Sequence, residues 1–73
     1  MTNDERIGHR IMVRRAVLRM NQAELARRIG VAQSYISMLE RGERTLNDEK
    51  LERIAEALKC KPEDFLRDFQ DAA

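Results

Sequence analysis

A single glycine, Gly30, separates two short runs of helical apolar spacing, and this bracket constrains the chain more than any other feature. In NQAELARRIG, residues 21–30, the apolar set is Ala23, Leu25, Ala26 and Ile29, recurring at steps that line one helix face. Asn21 suits an N-cap, and Glu24 three residues later makes a capping-box pattern. Glycine ends helices in a left-handed conformation at little cost. In VAQSYISMLERG, residues 31–42, Ile36 and Leu39 are the inward pair, Val31 docks just before them, and Gly42 ends the run. Two helices of about eight residues joined by a short glycine turn form a helix-turn-helix, here over 22–41. Ala26 sits where a small residue lets the second helix cross closely. A chance hairpin needs the glycine, but not Ala26 and the Ile36/Leu39 pair at these offsets.

The same periodicity predicts an all-α chain of five helices. No alternating run of β-branched and aromatic residues appears between turn signals. The first helix runs from about Asp4 to Arg19, with Ile7, Ile11 and Leu18 in one stripe that Arg14 interrupts. The stem of Arg14 is expected along the core edge, with its head in water, and Val13 and Val17 extend the apolar surface to a second side. The second helix is Gln22 to about Ile29, and the third about Gln33 to Arg41. Ala32 stands at the third helix's cap without a hydroxyl, a loss of about 1 kcal/mol. The fourth runs from Asp48 to about Lys59, capped by Asn47, with Leu46 and Leu51 as a hydrophobic staple and Leu51, Ile54, Ala55 and Leu58 as its stripe. The fifth spans about 62–70, opening at Pro62 and carrying Phe65, Leu66 and Phe69, with a frayed tail over 71–73.

Seventy-three residues make one domain, 1–73, of modest stability. The one cysteine, Cys60, rules out an internal disulfide, and Cys60 with the one histidine, His9, cannot supply four zinc ligands. No metal and no cofactor are therefore expected, and oligomerisation is the remaining support for so small a core. The chain has no apolar run of about 20 residues and no signal peptide, so a cytoplasmic protein without membrane contact is expected. No nucleophile has a base at usable spacing, which argues against an enzyme and leaves no catalytic residues to name. Net charge is only +1, but residues 1–46 hold nine Arg against five acids, while residues 47–73 hold five Lys or Arg against eight. The basic half uses only Arg, the fork-shaped cation suited to phosphate and guanine.

At this point NQAELARRIGVAQSYISMLERGER resembles the helix-turn-helix of the lambdoid phage repressor and Cro family, also called the Xre family. The resemblance extends from IGHRI (7–11) through LERIAEAL (51–58) to PEDFL (62–66). It implies that family's compact five-helix domain, a cytoplasmic location, and binding of double-stranded DNA, usually as a homodimer on an inverted repeat. The second helix of such a motif lies in the major groove with its N-terminal residues at base edges. Gln33, Ser34, Ser37 and Met38 match the positions that read bases. Gln33 can pair with adenine through a two-bond amide contact, the serines can donate or accept, and Met38 can pack on a thymine methyl.

Phosphate contacts are expected from Gln22, at a helix N-terminus where anions are favoured, and from Arg41 and Arg44, which follow the reading helix. The resemblance also implies that Gln22 braces Gln33. Arg10 and Arg28 are further phosphate candidates, and the Tyr35 hydroxyl is another unless its ring packs against the second helix or a partner. Arg15 and Glu40 match family positions that form an ion pair between the first and third helices. Four residues depart from the family pattern: Arg14 for a common leucine, Ala32 without the cap hydroxyl, Lys59 for a common terminating glycine, and Lys61 for a common capping serine. Phe65, Leu66 and Phe69 make up the dimer surface, with Phe65 or Leu66 closing the core and Phe69 reaching the second subunit. The motif carries no effector domain, so the expected role is a stand-alone regulator, either a Cro or repressor or a restriction–modification controller. It would occupy an operator and block RNA polymerase or touch it to activate. The alternative is a DNA-binding antitoxin or another protein-interaction module of the same fold.

Overall fold

A computed structural model describes residues 1–66 as five helices: α1 (Asn3–Val17), α2 (Gln22–Ile29), α3 (Gln33–Glu40), α4 (Asp48–Ala57) and α5 (Glu63–Leu66). The described residues contain no strand, in keeping with the all-α expectation. Side-chain oxygens open three of the helices. Asn21 Oδ1 accepts from the Glu24 amide and Asn47 Oδ1 from the Lys50 amide, each at 2.8 Å. At the start of α1, Thr2 Oγ1 accepts from the Glu5 amide at 3.1 Å while the Glu5 carboxylate accepts from the Thr2 amide at 2.8 Å. This is a complete capping box, and its bonds from Thr2 hold the Glu5 carboxyl below its ordinary range. The box pattern at α2 is only half realised, because Glu24 turns to Arg28 at 2.7 Å.

Two helices end earlier than their apolar spacing suggests. α1 stops at Val17, and the chain reverses through Arg19 at φ 56°. α4 stops at Ala57, and Lys59 takes the left-handed conformation at φ 58°. A lysine there carries a Cβ that glycine would not, at a cost of about 1 kcal/mol. Lys61, lacking a cap hydroxyl, has its amide satisfied by Asp64 Oδ2 at 3.0 Å.

The core is built from inward residues of every helix. Ile11, Leu25, Ile36, Leu39, Ile54 and Leu58 are fully buried, with Met20, Ala26, Ile29, Leu51, Ala55 and Phe65 around them. Leu46 packs on this cluster ahead of Leu51, as the staple requires, and Val31 ahead of Ile36 repeats that arrangement at α3. Met20, in the α1–α2 turn, belongs to the core although no helical spacing marks it. Val13 and Val17 do not extend the core: they are 46% and 64% exposed. Arg14 does not send its head to water. Its Nε donates to the Leu58 carbonyl at 2.8 Å and its Nη2 to the Lys59 carbonyl at 3.1 Å. The guanidinium thus caps the C-terminal end of α4, where carbonyls would otherwise lack partners. Two departures from the family pattern, Arg14 and Lys59, therefore meet in one contact.

Phe65 closes the core at 2% exposure, which removes it from any dimer surface; Leu66 beside it is 57% exposed. Phe69, the remainder of the expected helix over 62–70, and the tail over 71–73 lie outside the described residues.

Candidate nucleic-acid interface

The α2–α3 pair is set by its turn and by what α3 plugs into. Gly30 takes φ 77°, and its amide bonds back to the Ala26 carbonyl. Ile36 and Leu39 then pin the inner side of α3 in the core. The far end of α3 is gripped by α1. Gly8 is buried, and a Cβ there would collide with the carbonyl oxygen of Leu39 and come within 2.9 Å of that of Glu40. A Cβ on Gly42, at φ 77°, would likewise come within 2.8 Å of Glu5 Cα. The positioning role of Gly8 is invisible to apolar periodicity; only its place mid-helix, where glycine costs about 1 kcal/mol, hints at a steric reason.

Glu40 is the hub of the site. Its carboxylate accepts from Arg15 Nε at 2.7 Å, Arg15 Nη2 at 3.0 Å and Gln22 Nε2 at 2.9 Å. Arg15 also donates to the Met20 carbonyl at 2.8 Å. The two ion-pair side chains are 15% and 4% exposed, and the bonds to Glu40 hold the Arg15 guanidinium charged more firmly than usual. One carboxylate so ties α1, the N-terminus of α2 and the C-terminus of α3. Gln22 is oriented by Glu40 through this bond.

The outer side of α3 is polar. Gln33 and Ser34 are exposed; Ser37 and Met38 are half-buried. Ala32 provides no side-chain cap. The Tyr35 amide turns to the Ala32 carbonyl at 3.0 Å, while the amides of Gln33 and Ser34 have no partner among the described residues. Backbone donors and the exposed polar side chains of Gln33 and Ser34 thus stand together at one helix end.

The expected phosphate contacts differ in their engagements. Arg44 is exposed and has no partner among the described residues. Arg41 is bound on both edges: Nε and Nη2 each meet the Glu43 carboxylate at 3.1 Å, and Nη1 donates to Ser37 Oγ at 2.6 Å. This contact lowers the Glu43 carboxyl from its ordinary range. Arg28 pairs with Glu24 at the surface. Arg10 donates to the Asp64 carbonyl at 3.1 Å, tying α1 to α5. Tyr35 is half-buried against the core, with Lys50 Nζ of α4 lying 5.9 Å from its ring centroid. Its ring therefore meets α4 and the core, where the sequence alone points to the second helix or a partner.

Among the described residues no group of His, Cys, Asp and Glu could hold a metal, and no helix is long and apolar enough to cross a membrane. Burial raises the Cys60 thiol, making it a poorer nucleophile than an exposed thiol.

A helix-turn-helix family model matches residues 11–65. The repressor protein C2 of Salmonella phage P22 is 38% identical over 65 residues, covering 89% of this chain and 30% of its own length. The DNA-binding domain of that repressor, solved in solution, superposes with a TM-score of 0.80 at 40% identity, over 82% of this chain and 79% of that domain. The clp gene regulator ClgR of Corynebacterium glutamicum gives a TM-score of 0.87 at 30% identity, over 90% of this chain and 70% of that one. The restriction–modification controller C.AhdI of Aeromonas hydrophila gives 0.82 at 27% identity, over 85% and 94%. The chain spans 30–62% of the length of the curated relatives it matches.

Proposed function

The chain belongs to the helix-turn-helix family of phage-repressor, Cro or Xre type, and from that membership we propose that it is a transcriptional regulator binding an inverted-repeat operator as a homodimer. It is a DNA reader and no enzyme. Its place is with the DNA it reads, in the cytoplasm, where occupying an operator blocks RNA polymerase or recruits it. One half-site of a few base pairs is too short to be specific in a genome. Two chains related by a two-fold axis double the contacts and place the half-sites about 34 Å apart.

The observation that carries this reading is the exposed N-terminal end of α3, where Gln33 and Ser34 share one surface with two unclaimed backbone amides. Gln33 pairs with adenine, Ser34 and Ser37 bond to base edges, and Met38 covers a thymine methyl. Gln22, held by Glu40, and Arg44 bind phosphates on either side. Arg41 and the Tyr35 hydroxyl lie along the same rim. Arg28 reaches phosphate by exchanging its Glu24 partner, a surface contact of small energy.

Selection of bound duplexes from a random pool tests this. An enriched inverted repeat is the expected result; enrichment of a single half-site, or none, would count against it. On the selected operator, Gln33→Ala costs about 1–3 kcal/mol and relaxes the preference at one position. Arg44→Ala weakens every sequence to a similar degree and lowers the salt slope by about one. A uniform loss for Gln33→Ala would remove it from base reading.

A further inference from the structure

Ser37 has a defined hydrogen-bonding polarity, and we propose that Arg41 imposes it: Arg41 is a specificity-determining positioning residue that makes Ser37 read a hydrogen-bond acceptor on the base edge. The proposal rests on the reading that the outer side of α3 faces DNA bases. A serine hydroxyl is ordinarily an ambivalent reader, with one proton to donate and two lone pairs to accept. Ser37 is not ambivalent. Four residues on, at the C-cap just past α3, Arg41 places Nη1 2.6 Å from Ser37 Oγ. A guanidinium has donors only, so the Ser37 proton cannot point toward Arg41. Nor does Ser37 bond back to a carbonyl of its own helix; Oγ has no second partner among the described residues. Its proton is therefore left for a ligand.

The neighbouring positive charge adds to this selection. A charge-assisted bond to an oxygen polarises its O–H and strengthens it as a donor. The same guanidinium repels a second N–H that approaches the remaining lone pair. Glu43 completes the device by holding the other edge of Arg41, Nε and Nη2, at 3.1 Å each. That grip aims Nη1 back along the helix at Ser37. Guanine N7 and O6, adenine N7 and thymine O4 are acceptors in the major groove, whereas cytosine shows only an amino donor there. The base facing Ser37 is then one that presents an acceptor, and cytosine is the base most strongly rejected.

The test measures base preference by duplex selection for the wild-type protein, Ser37→Ala, Arg41→Ala, Glu43→Gln and the Ser37→Ala/Arg41→Ala double variant. Arg41 and Glu43 are exposed, so these variants fold, which thermal unfolding verifies. In the wild type one position of each half-site rejects cytosine. Ser37→Ala and Arg41→Ala both reduce that rejection, by about three- to tenfold, at the same position, and the double variant adds nothing further there. Glu43→Gln binds all DNA more tightly by losing a negative charge, yet discriminates less at that position. If Ser37→Ala alters no position, the base-reading role of Ser37 fails and the proposal with it. If Ser37→Ala alters a position that Arg41→Ala leaves intact, the base-reading role stands and the proposal is overturned. In that case Arg41→Ala would weaken all sequences alike and lower the salt slope by about one, as a phosphate contact does.

Discussion

Gly8 and Glu5 show how single residues set this fold through groups that no side-chain pattern advertises. Gly8 meets the carbonyls of Leu39 and Glu40 with no room for a Cβ. Gly8→Ala is expected to destabilise the domain by about 1–3 kcal/mol through overpacking against a backbone that cannot yield cheaply, despite alanine's better helix propensity. Urea unfolding measures it, and a neutral or stabilised variant would mean that α1 can shift without cost. Glu5 has a depressed carboxyl because the Thr2 amide and hydroxyl favour its charged form. A carboxyl lowered on folding contributes stability that is complete above its unfolded value, near the ordinary 4.5, and lost as pH falls through the folded value. Acid titration of Glu5→Gln is expected to show a smaller stability loss below pH 4.5 than the wild type shows. The Thr2-x-x-Glu5 pattern is a capping-box signal that apolar spacing, which starts the helix at about Asp4, passes over. The Gly8 contact is not legible, because its partners lie on another helix.

At the scale of the element, local chemistry was readable and distant chemistry was not. Asn21 and Asn47 cap their helices as their residue type predicts, and Gly30 ends α2. Each interaction closes within a few residues, so sequence spacing contains it. Arg14 and Arg10 instead reach carbonyls 44 and 54 residues away, and only the packing of α1 on the C-terminal part reveals their roles. Ala32 and Lys59 are two weak helix ends of different meaning. Lys59→Gly relieves a left-handed lysine and is expected to stabilise the domain by about 1 kcal/mol with DNA binding unchanged. Ala32→Ser supplies the missing cap and stabilises by a similar amount, but its hydroxyl then competes with phosphate for the free amides of α3. DNA affinity is expected to fall in Ala32→Ser alone, which filter binding alongside thermal unfolding resolves. Equal affinities in the two variants would show that those amides do not bind DNA.

For the whole molecule, the described residues measure 34 × 23 × 21 Å, and on the proposed function pairing is what would convert a reader of one half-site into a specific one. Phe65 is spent on the core and Leu66 is left exposed, so the surface for a second copy is expected to begin at Leu66. Leu66→Asp is expected to shift the chain toward monomer by sedimentation and to remove the dependence of its unfolding temperature on protein concentration. A dimer that survives this change would place the interface elsewhere. The sequence placed Phe65 and Leu66 at the edge of the core without deciding between them, since adjacent apolar residues on a short helix are separated only by the helix's rotation.

Arg14 holds the end of α4 by its main-chain oxygens, and Arg10 likewise bonds the carbonyl of Asp64. Every amino acid carries that oxygen, so the grip of Arg14 is indifferent to which side chains occupy Leu58 and Lys59. Substitutions at those two positions are answerable to the core and to the helix end, but not to Arg14. A lineage could therefore revise the side chains at the end of α4 while α1, and the helix-turn-helix packed on it, stays docked in place.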